Sequence, residues 1–355
     1  MDDTGTRDQE NANPRTPADL YGRPRPTLQG SRPVRSGPAA CRQPANLTHP
    51  YRLRQLGPSK EARIRHRPAN VYSRSVATPE ASSEICAELL RLAVEPVEDL
   101  DVDRMWDLVQ VLHERSEPEV VDWALPKLTS TRPGDRVMAS VVLGQHGCPQ
   151  GRPYGDRVAP ALAAAARIEH DDEVRAYLVG ALGHAEDPAW AFELASYAND
   201  PYPPVREAVA ASLPIMFRGE EPDDAALAVL ITLSADPDPQ VRDWATMGLG
   251  SQCTRDDDAL RNALRARLDD SDEDGTATSG EAALGLALRH DSYVFDYLDR
   301  WLAASVDKIG NLIVEAAGEL SDQRLLPRLL ELRDAGWQGD DPRPGVLDDA
   351  IAAFE

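Results

Sequence analysis

Three stretches of this chain are versions of one another: Val174-Arg175-Ala176-Tyr177-Leu178-Val179-Gly180-Ala181-Leu182-Gly183, Val205-Arg206-Glu207-Ala208-Val209-Ala210-Ala211-Ser212-Leu213-Pro214 and Val241-Arg242-Asp243-Trp244-Ala245-Thr246-Met247-Gly248-Leu249-Gly250. Their starts lie 31 and 36 residues apart. A period in this range marks a stack of repeated supersecondary units, because each unit is too small to bury its apolar face alone and does so against its neighbours. A chain built this way grows by stacking rather than by enlarging one core.

Aligned by position rather than identity, the pattern also begins at Val102, Asp135, Thr278, Leu312 and Val346, so about eight units follow one another at spacings of 31 to 39 residues. Apolar residues at i, i+4 and i+8, as in Val241, Ala245 and Leu249, make one face of a helix. The small residue in the middle of that stripe lets a neighbouring helix come close. Asp238-Pro239 reads as an N-cap followed by proline at the first helical position, and Gly183 and Gly250 are expected in the left-handed conformation that ends a helix. A second apolar-periodic segment precedes each of these, at 188–197, 224–233, 257–268 and 323–332. No segment of useful length alternates with period two. The expected fold is all-α, an α-α superhelix of about eight helix pairs.

Charge divides the chain into two materials. Residues 1–78 hold 14 Lys+Arg and 6 Asp+Glu, net +8; of the totals of 38 and 60, this leaves 24 basic and 54 acidic residues for 79–355, net −30. The first segment has ten Pro, no Phe or Trp and only isolated apolar residues. Such a composition buries too little surface to offset the entropy of ordering, so 1–78 reads as a disordered basic leader. A translation start nearer Val71 or Val76 would also account for the switch. The acidic body repels phosphate backbones, which argues against duplex nucleic acid as its ligand. Its surplus serves solubility or marks a surface for a basic partner. The four cysteines lie far apart with neither metal-ligand nor disulfide-framework spacing, and no apolar run is long enough to span a bilayer. The body reads as a cytoplasmic protein.

The motif Asp-x-x-Val-Arg-x-x-Ala-x-x-x-Leu-Gly, seen in Asp171…Gly183 and Asp238…Gly250, resembles the HEAT repeat in its phycobilin-lyase-like form, within the armadillo-type superfold. Val241-Arg242-Asp243-Trp244-Ala245, Gly280-Glu281-Ala282 and Leu320-Ser321-Asp322-Gln323-Arg324-Leu325-Leu326-Pro327 resemble bacterial, actinobacterial HEAT-repeat proteins. The resemblance covers about residues 85–355. It implies a ladder between neighbouring units, with Arg175, Arg206 and Arg242 as its arginines and Asp171 and Asp238 as its acids. Tyr202 stands where the middle unit should have its Asp, and the first, sixth and seventh units lack the Arg.

One turn stands out. Asp270-Ser271-Asp272-Glu273-Asp274-Gly275-Thr276-Ala277-Thr278-Ser279-Gly280-Glu281 has the carboxylate spacing of a calcium loop, with Asp270, Asp272, Asp274, Thr276 and Glu281 as its ligands. Ala277 stands where such loops carry a branched apolar residue, and there is no second loop to pair with. The bland reading is an acid-rich turn. The histidines do not cluster, and His113, His146, His170, His184 and His290 fall where capping or exposed residues belong. No nucleophile elbow, phosphate cradle or acid/base constellation is evident, so neither catalytic residues nor a cofactor is expected. The resulting expectation is a non-catalytic scaffold that binds a protein or peptide through its second helices, at Tyr177, Glu207, Asp243 and Trp244. The alternatives are a bilin-lyase-like or other HEAT-based enzyme, and a module that binds under calcium control. Oligomeric state is left open.

Overall fold

The computed structural model describes residues 82–93, 101–113, 115–148, 150–217, 222–270, 277–339 and 345–354. The basic leader expected at 1–78 lies outside them. Among the described residues there is no strand, and the helices follow as eight pairs. These are α1 (Ser82–Leu92) with α2 (Val102–His113), α3 (Pro118–Ala124) with α4 (Pro133–Gln145), α5 (Gly155–Ile168) with α6 (Asp172–Gly183), and α7 (Ala191–Ala195) with α8 (Pro203–Ser212). The remaining four are α9 (Asp224–Leu233) with α10 (Pro239–Met247), α11 (Asp258–Arg265) with α12 (Thr278–Ala287), α13 (Phe295–Leu302) with α14 (Asn311–Leu320), and α15 (Leu326–Asp334) with α16 (Val346–Ala352).

The second helix of every pair starts within about two residues of where the repeat places it. At α6 and α10 an aspartate cap fixes the start. Asp171 accepts from the Val174 N–H at 3.1 Å and Asp238 from Gln240 and Val241 at 2.9 and 3.3 Å, and among the first helices Asp257 caps α11 through the Leu260 N–H at 2.9 Å. Each satisfies a donor that the first turn leaves without an intrahelical acceptor. The first helices are less regular. The segment expected at 188–197 is a 3-10 turn, Pro188–Trp190, followed by five-residue α7. Of 257–268 only Asp258–Arg265 is helical.

The second helices carry the stack. From α4 to α16 each lies against the second helix of the next pair, whereas the first helices meet one another more sparsely. The stripe residues Val241, Ala245 and Leu249 are fully buried, as are Val174, Leu178 and Leu182. Small residues face small residues at the crossings. A Cβ on Gly285 would lie 2.5 Å from the Gly250 Cα, one on Gly183 2.0 Å from the Ser212 Cβ, and one on Gly318 2.7 Å from the Ala350 Cα. This corrects the expectation for Gly183 and Gly250. Neither has positive φ. Gly183 is the last residue of α6, and Gly250 lies in a π turn, Gly248–Gln252, that extends α10. At Gly183 the Ser212 side chain, and at Gly250 the backbone of Glu281 and Gly285, occupy the place where a side chain would be.

The π turn leaves carbonyls exposed at the end of α10, and Arg289 gathers them. From the turn after α12, its buried guanidinium donates to the carbonyls of Leu249 and Gly250 in the π turn, of Arg255 beyond it, and of Gly285 in α12, at 2.7–2.9 Å. One side chain thus ties the ends of α10 and α12 together.

Gly285→Ala must push α12 off α10, because the atom it meets is backbone. The expected cost is about 1–3 kcal/mol, the usual range for overpacking, read from the denaturant midpoint. Gly155→Ala, whose Cβ would meet nothing within 4 Å at the start of α5, should leave the midpoint unchanged or raise it slightly.

Candidate functional site

An arginine one position after the repeat valine lies in the first turn of its second helix, pointing across to the next unit. There it meets an acid in the turn that precedes the next second helix. Arg136 binds Glu169 through Nε and Nη2 at 2.6 and 2.9 Å, Arg175 binds Asp200 at 2.8 and 3.1 Å, and Arg206 binds Asp236 at 2.8 Å through both nitrogens. Arg242 reaches Asp270 at 3.0 Å. These are the fork-to-fork contacts that guanidinium and carboxylate geometry favour.

Each arginine also turns its Nη1 back to its own turn. Arg206 donates to the Asp200 carbonyl and Arg242 to the Asp236 carbonyl, each at 2.9 Å, and Arg175 to the Glu169 carbonyl at 3.5 Å. The residue whose carboxylate takes one arginine therefore offers its carbonyl to the next. Arg136, Glu169, Arg175, Asp200, Arg206, Asp236, Arg242 and Asp270 form one continuous run of hydrogen bonds through four unit boundaries.

The acids of this ladder are not those expected. Asp171 and Asp238 are N-caps, and the ladder acids stand two residues earlier, at Glu169, Asp200, Asp236 and Asp270. Tyr202 in the middle unit therefore removes a cap and leaves the ladder intact. The ladder acids fold back on their own turns: Asp200 accepts from the Tyr202 N–H and Asp236 from the Asp238 N–H, both at 2.9 Å. Burial alone would raise the carboxyl pKa of Asp236, but the Arg206 guanidinium and the Asp238 N–H outweigh it and hold the group below the ordinary carboxylate range. Glu169 is lowered in the same way, against burial, by Arg136 and the Asp171 N–H. Beyond Asp270 the pattern changes hands. Arg261 and Arg265, from the first helix α11, meet Asp291 at 3.1 and 2.6 Å.

The four residues expected to meet a partner are placed unequally. Tyr177 is buried at 8% exposure, and burial, reinforced by the charge of Glu173, pushes its phenol up to about 12. Asp243 is half-buried, and its carboxylate accepts from the Ala277 N–H at 3.0 Å and the Thr278 hydroxyl at 3.1 Å. It therefore caps α12 across the unit boundary, a role that spacing within one repeat does not reveal. Trp244 is half-buried and packs against the core. Its indole N–H is buried without a well-formed hydrogen bond, yet lies beside the Glu207 carboxylate and favours its charge. Burial and the charges of Asp238 and Asp243 prevail over that help and raise Glu207 to about 7. The Tyr202 hydroxyl, overlooked in the sequence, binds Glu173. The structure thus brings Glu207, Asp238, Asp243 and Trp244 together and leaves Tyr177 in the interior.

Of the turn with calcium-loop spacing, Asp272, Asp274 and Thr276 lie outside the described residues. Asp270 is in the ladder and Glu281 is half-buried on α12. Among the described residues no group of three or more His, Cys, Asp or Glu is placed to hold a metal. His146 is the C-cap residue of α4, in line with the capping place expected for it, but it is not exposed. It is buried, with Nδ1 3.1 Å from the Leu112 carbonyl and Nε2 3.0 Å from the Glu117 carbonyl. A groove of about 500 Å³ beside the α4–α5 loop is lined by Arg152, Asp156, Glu186 and Asp187 among others. There the Arg152 guanidinium is held by Glu186 at 2.9 Å and by the Gly144 carbonyl at 2.6 Å.

Arg206→Ala leaves the Asp236 carboxylate without its counter-ion and should cost about 3 kcal/mol, the scale for breaking a largely buried pair. Arg324→Ala, which removes a solvent-exposed guanidinium paired with Asp322, should leave stability nearly unchanged, because solvent screens such a pair. Chemical denaturation of both variants tests the contrast. Asp243→Ala should cost about 1 kcal/mol as a lost cap, and Asp243→Ser should recover most of it in the same assay.

The profile of HEAT repeats matches residues 158–250 and 191–285. Protein YibA from Escherichia coli K12 is 35% identical over 107 residues, which cover 30% of this chain and 36% of that protein; YibA from the O157:H7 strain matches equally. The crystal structure of Escherichia coli YibA superposes with a TM-score of 0.55 at 24% identity, covering 77% of this chain and 94% of that one, a likeness of fold. Human deoxyhypusine hydroxylase in complex with glycerol aligns over 77% of this chain and 95% of its own at 19% identity, with a TM-score of 0.30, too low to carry an argument. Residues 158–285 of this chain are matched by the HEAT-repeat family model, and the helix pairs on either side, stacked through their second helices, continue the same all-helical architecture.

Proposed function

We propose that this protein is a non-catalytic scaffold that binds a basic segment of a protein or peptide along the first turns of α6, α8 and α10. The observation that carries this reading is the assembly of Glu207, Asp238 and Asp243 beside Trp244, with Glu173 and Tyr202 paired at the preceding boundary, between α6 and α8. Acidic and aromatic groups side by side suit lysine and arginine, which pair with carboxylates and lie against ring faces. The neighbouring arginines do not cancel this charge, because Arg175, Arg206 and Arg242 are engaged in the ladder. The net charge of −30 over 79–355 adds long-range attraction for a basic partner. The same charge opposes duplex nucleic acid. Among the described residues no helix is long and apolar enough to cross a membrane. The reading places the protein in the cytoplasm, with Cys86, Cys148 and Cys253 forming no disulfide.

The test is fluorescence anisotropy of a labelled Lys-Gly repeat peptide titrated with the full chain, beside a Glu-Gly repeat of equal length. The lysine peptide should bind, and more weakly as salt rises, since screening shortens the reach of surface charge. Glu173→Gln should weaken it. Equal binding of both peptides, or of neither, would remove the basic-partner reading.

A further inference from the structure

The turn that leads into α5 and the turn that follows α6 face each other across the groove of about 500 Å³. Arg152 stands in the first turn and Glu186 in the second, and both have positive φ, 56° and 51°. L side chains rarely adopt that conformation, and where they do the surrounding structure holds them there. Here it carries a guanidinium inward, so that the Arg152 side chain is only 8% exposed. Nη1 donates to the Gly144 carbonyl at 2.6 Å, and Nη2 to Glu186 at 2.9 Å and to the Cys148 sulfur at 3.3 Å. Nε is buried and has no acceptor. A buried donor on a charged group is costly to leave unpaired, which points to an acceptor brought from outside. A second cavity that Arg152 lines, with His146 and Tyr154, is about 10 Å³ and has room for no more than one water. An organic acceptor must enter by the groove.

The other groups along the groove say what that acceptor belongs to. α5 begins there, and its N-cap, Tyr154, gives no side-chain oxygen to the first turn. The N–H groups of such a turn favour negative charge. Gly155, the first residue of α5, lines the groove, and a Cβ on it would meet nothing within 4 Å, so a ligand can come up to the backbone. Asp156 and Asp187 line the groove as well, and both are exposed. Asp187 accepts from the Ala189 N–H at 3.0 Å. A simple anion is repelled by these two carboxylates, and a simple cation by Arg152. A small molecule that carries both charges is complementary to the two sides at once.

We propose that this groove binds a free α-amino acid. Its carboxylate accepts from the Arg152 guanidinium and the first N–H groups of α5, and its ammonium group lies against Asp156 and Asp187. Asp156 directly follows Gly155, so donors for the carboxylate and an acceptor for the ammonium group stand side by side, as the two charges of an α-amino acid do. Pro153, Pro188 and Ala185 give its side chain an apolar border. The volume is within the range of small-molecule sites. The site lies away from the first turns of α6, α8 and α10 and does not depend on what binds there.

Isothermal titration calorimetry of the full chain with L-leucine tests the site, beside L-leucinamide, which lacks the carboxylate, and N-acetyl-L-leucine, which lacks the ammonium group. L-leucine should bind, and each analogue at least about tenfold more weakly, the scale of one lost charge-assisted hydrogen bond. Arg152→Gln should abolish binding. Because that variant also takes a donor from the Gly144 carbonyl and from Glu186, Gly155→Leu is the companion: its side chain enters open space, so it should block the groove and leave the melting temperature unchanged. Asp156→Asn, at an exposed position, should weaken L-leucine several-fold and leave the binding of N-acetyl-L-leucine as it was. No heat from L-leucine at millimolar concentration overturns the site, as does undiminished binding in Gly155→Leu or in Asp156→Asn. An analogue that binds as well as L-leucine shows that the groove does not read both charges, and overturns the proposal too.

Discussion

The arginine–carboxylate ladder is the interaction on which the rest of the structure depends. Solenoid units contact only their neighbours, so their relative placement is set boundary by boundary. Hydrophobic contact alone would hold two helices together without fixing how far one slides along the other. The bidentate forks from Arg136, Arg175 and Arg206 do fix it, since a guanidinium meets a carboxylate in one plane and one register. Because Arg175, Arg206 and Arg242 also grip the carbonyl of the preceding ladder acid, the register set at one boundary is handed on to the next. Charged pairs taken out of water gain little net stability when geometry is poor. Here nearly every lone pair finds a donor, including the N–H groups of the turn itself.

Close approach of the second helices is the complementary constraint. Gly183, Gly285 and Gly318 admit another helix at distances that no side chain would permit. The packing then shields the first turns of these helices on several sides, and that shielding makes Glu207 unusual. Its carboxyl is raised because a tightly stacked seam keeps water from it and sets two other acids beside it. A looser stack would leave it an ordinary surface glutamate.

Arg289 and the ladder show two uses of the same side chain. In the ladder, arginine pairs charge with charge at the rim of the stack. At the end of α10 it serves as a carbonyl collector, which permits a π turn whose acceptors would otherwise lie buried and unsatisfied. Arg261 and Arg265 take over at Asp291, where the second helix no longer supplies the arginine. The stack continues through the change because the acid stays in the turn, and two helices can present a guanidinium to it.

The sequence by itself determined the helix pairs, their number and their phase, because a repeat at helical spacing writes the buried stripe and its aspartate caps into local order. It also named the ladder arginines, which keep a fixed place after the valine. It could not choose the ladder acids, since Asp171 and Asp238 lie as near in sequence as Glu169 and Asp236, and only the path of each turn decides which reaches across the boundary. It gave Gly183 and Gly250 the wrong reason, because a missing side chain records equally a left-handed residue and a close neighbour. Of the candidate site, Trp244 was legible as a departure from the repeat and Glu207 as a position on a second helix. That Tyr177 is interior, that Asp243 caps α12, and that Glu207 stands among carboxylates without a cation were decided by tertiary structure, because each depends on atoms about one repeat or more away in sequence and a few ångströms away in space.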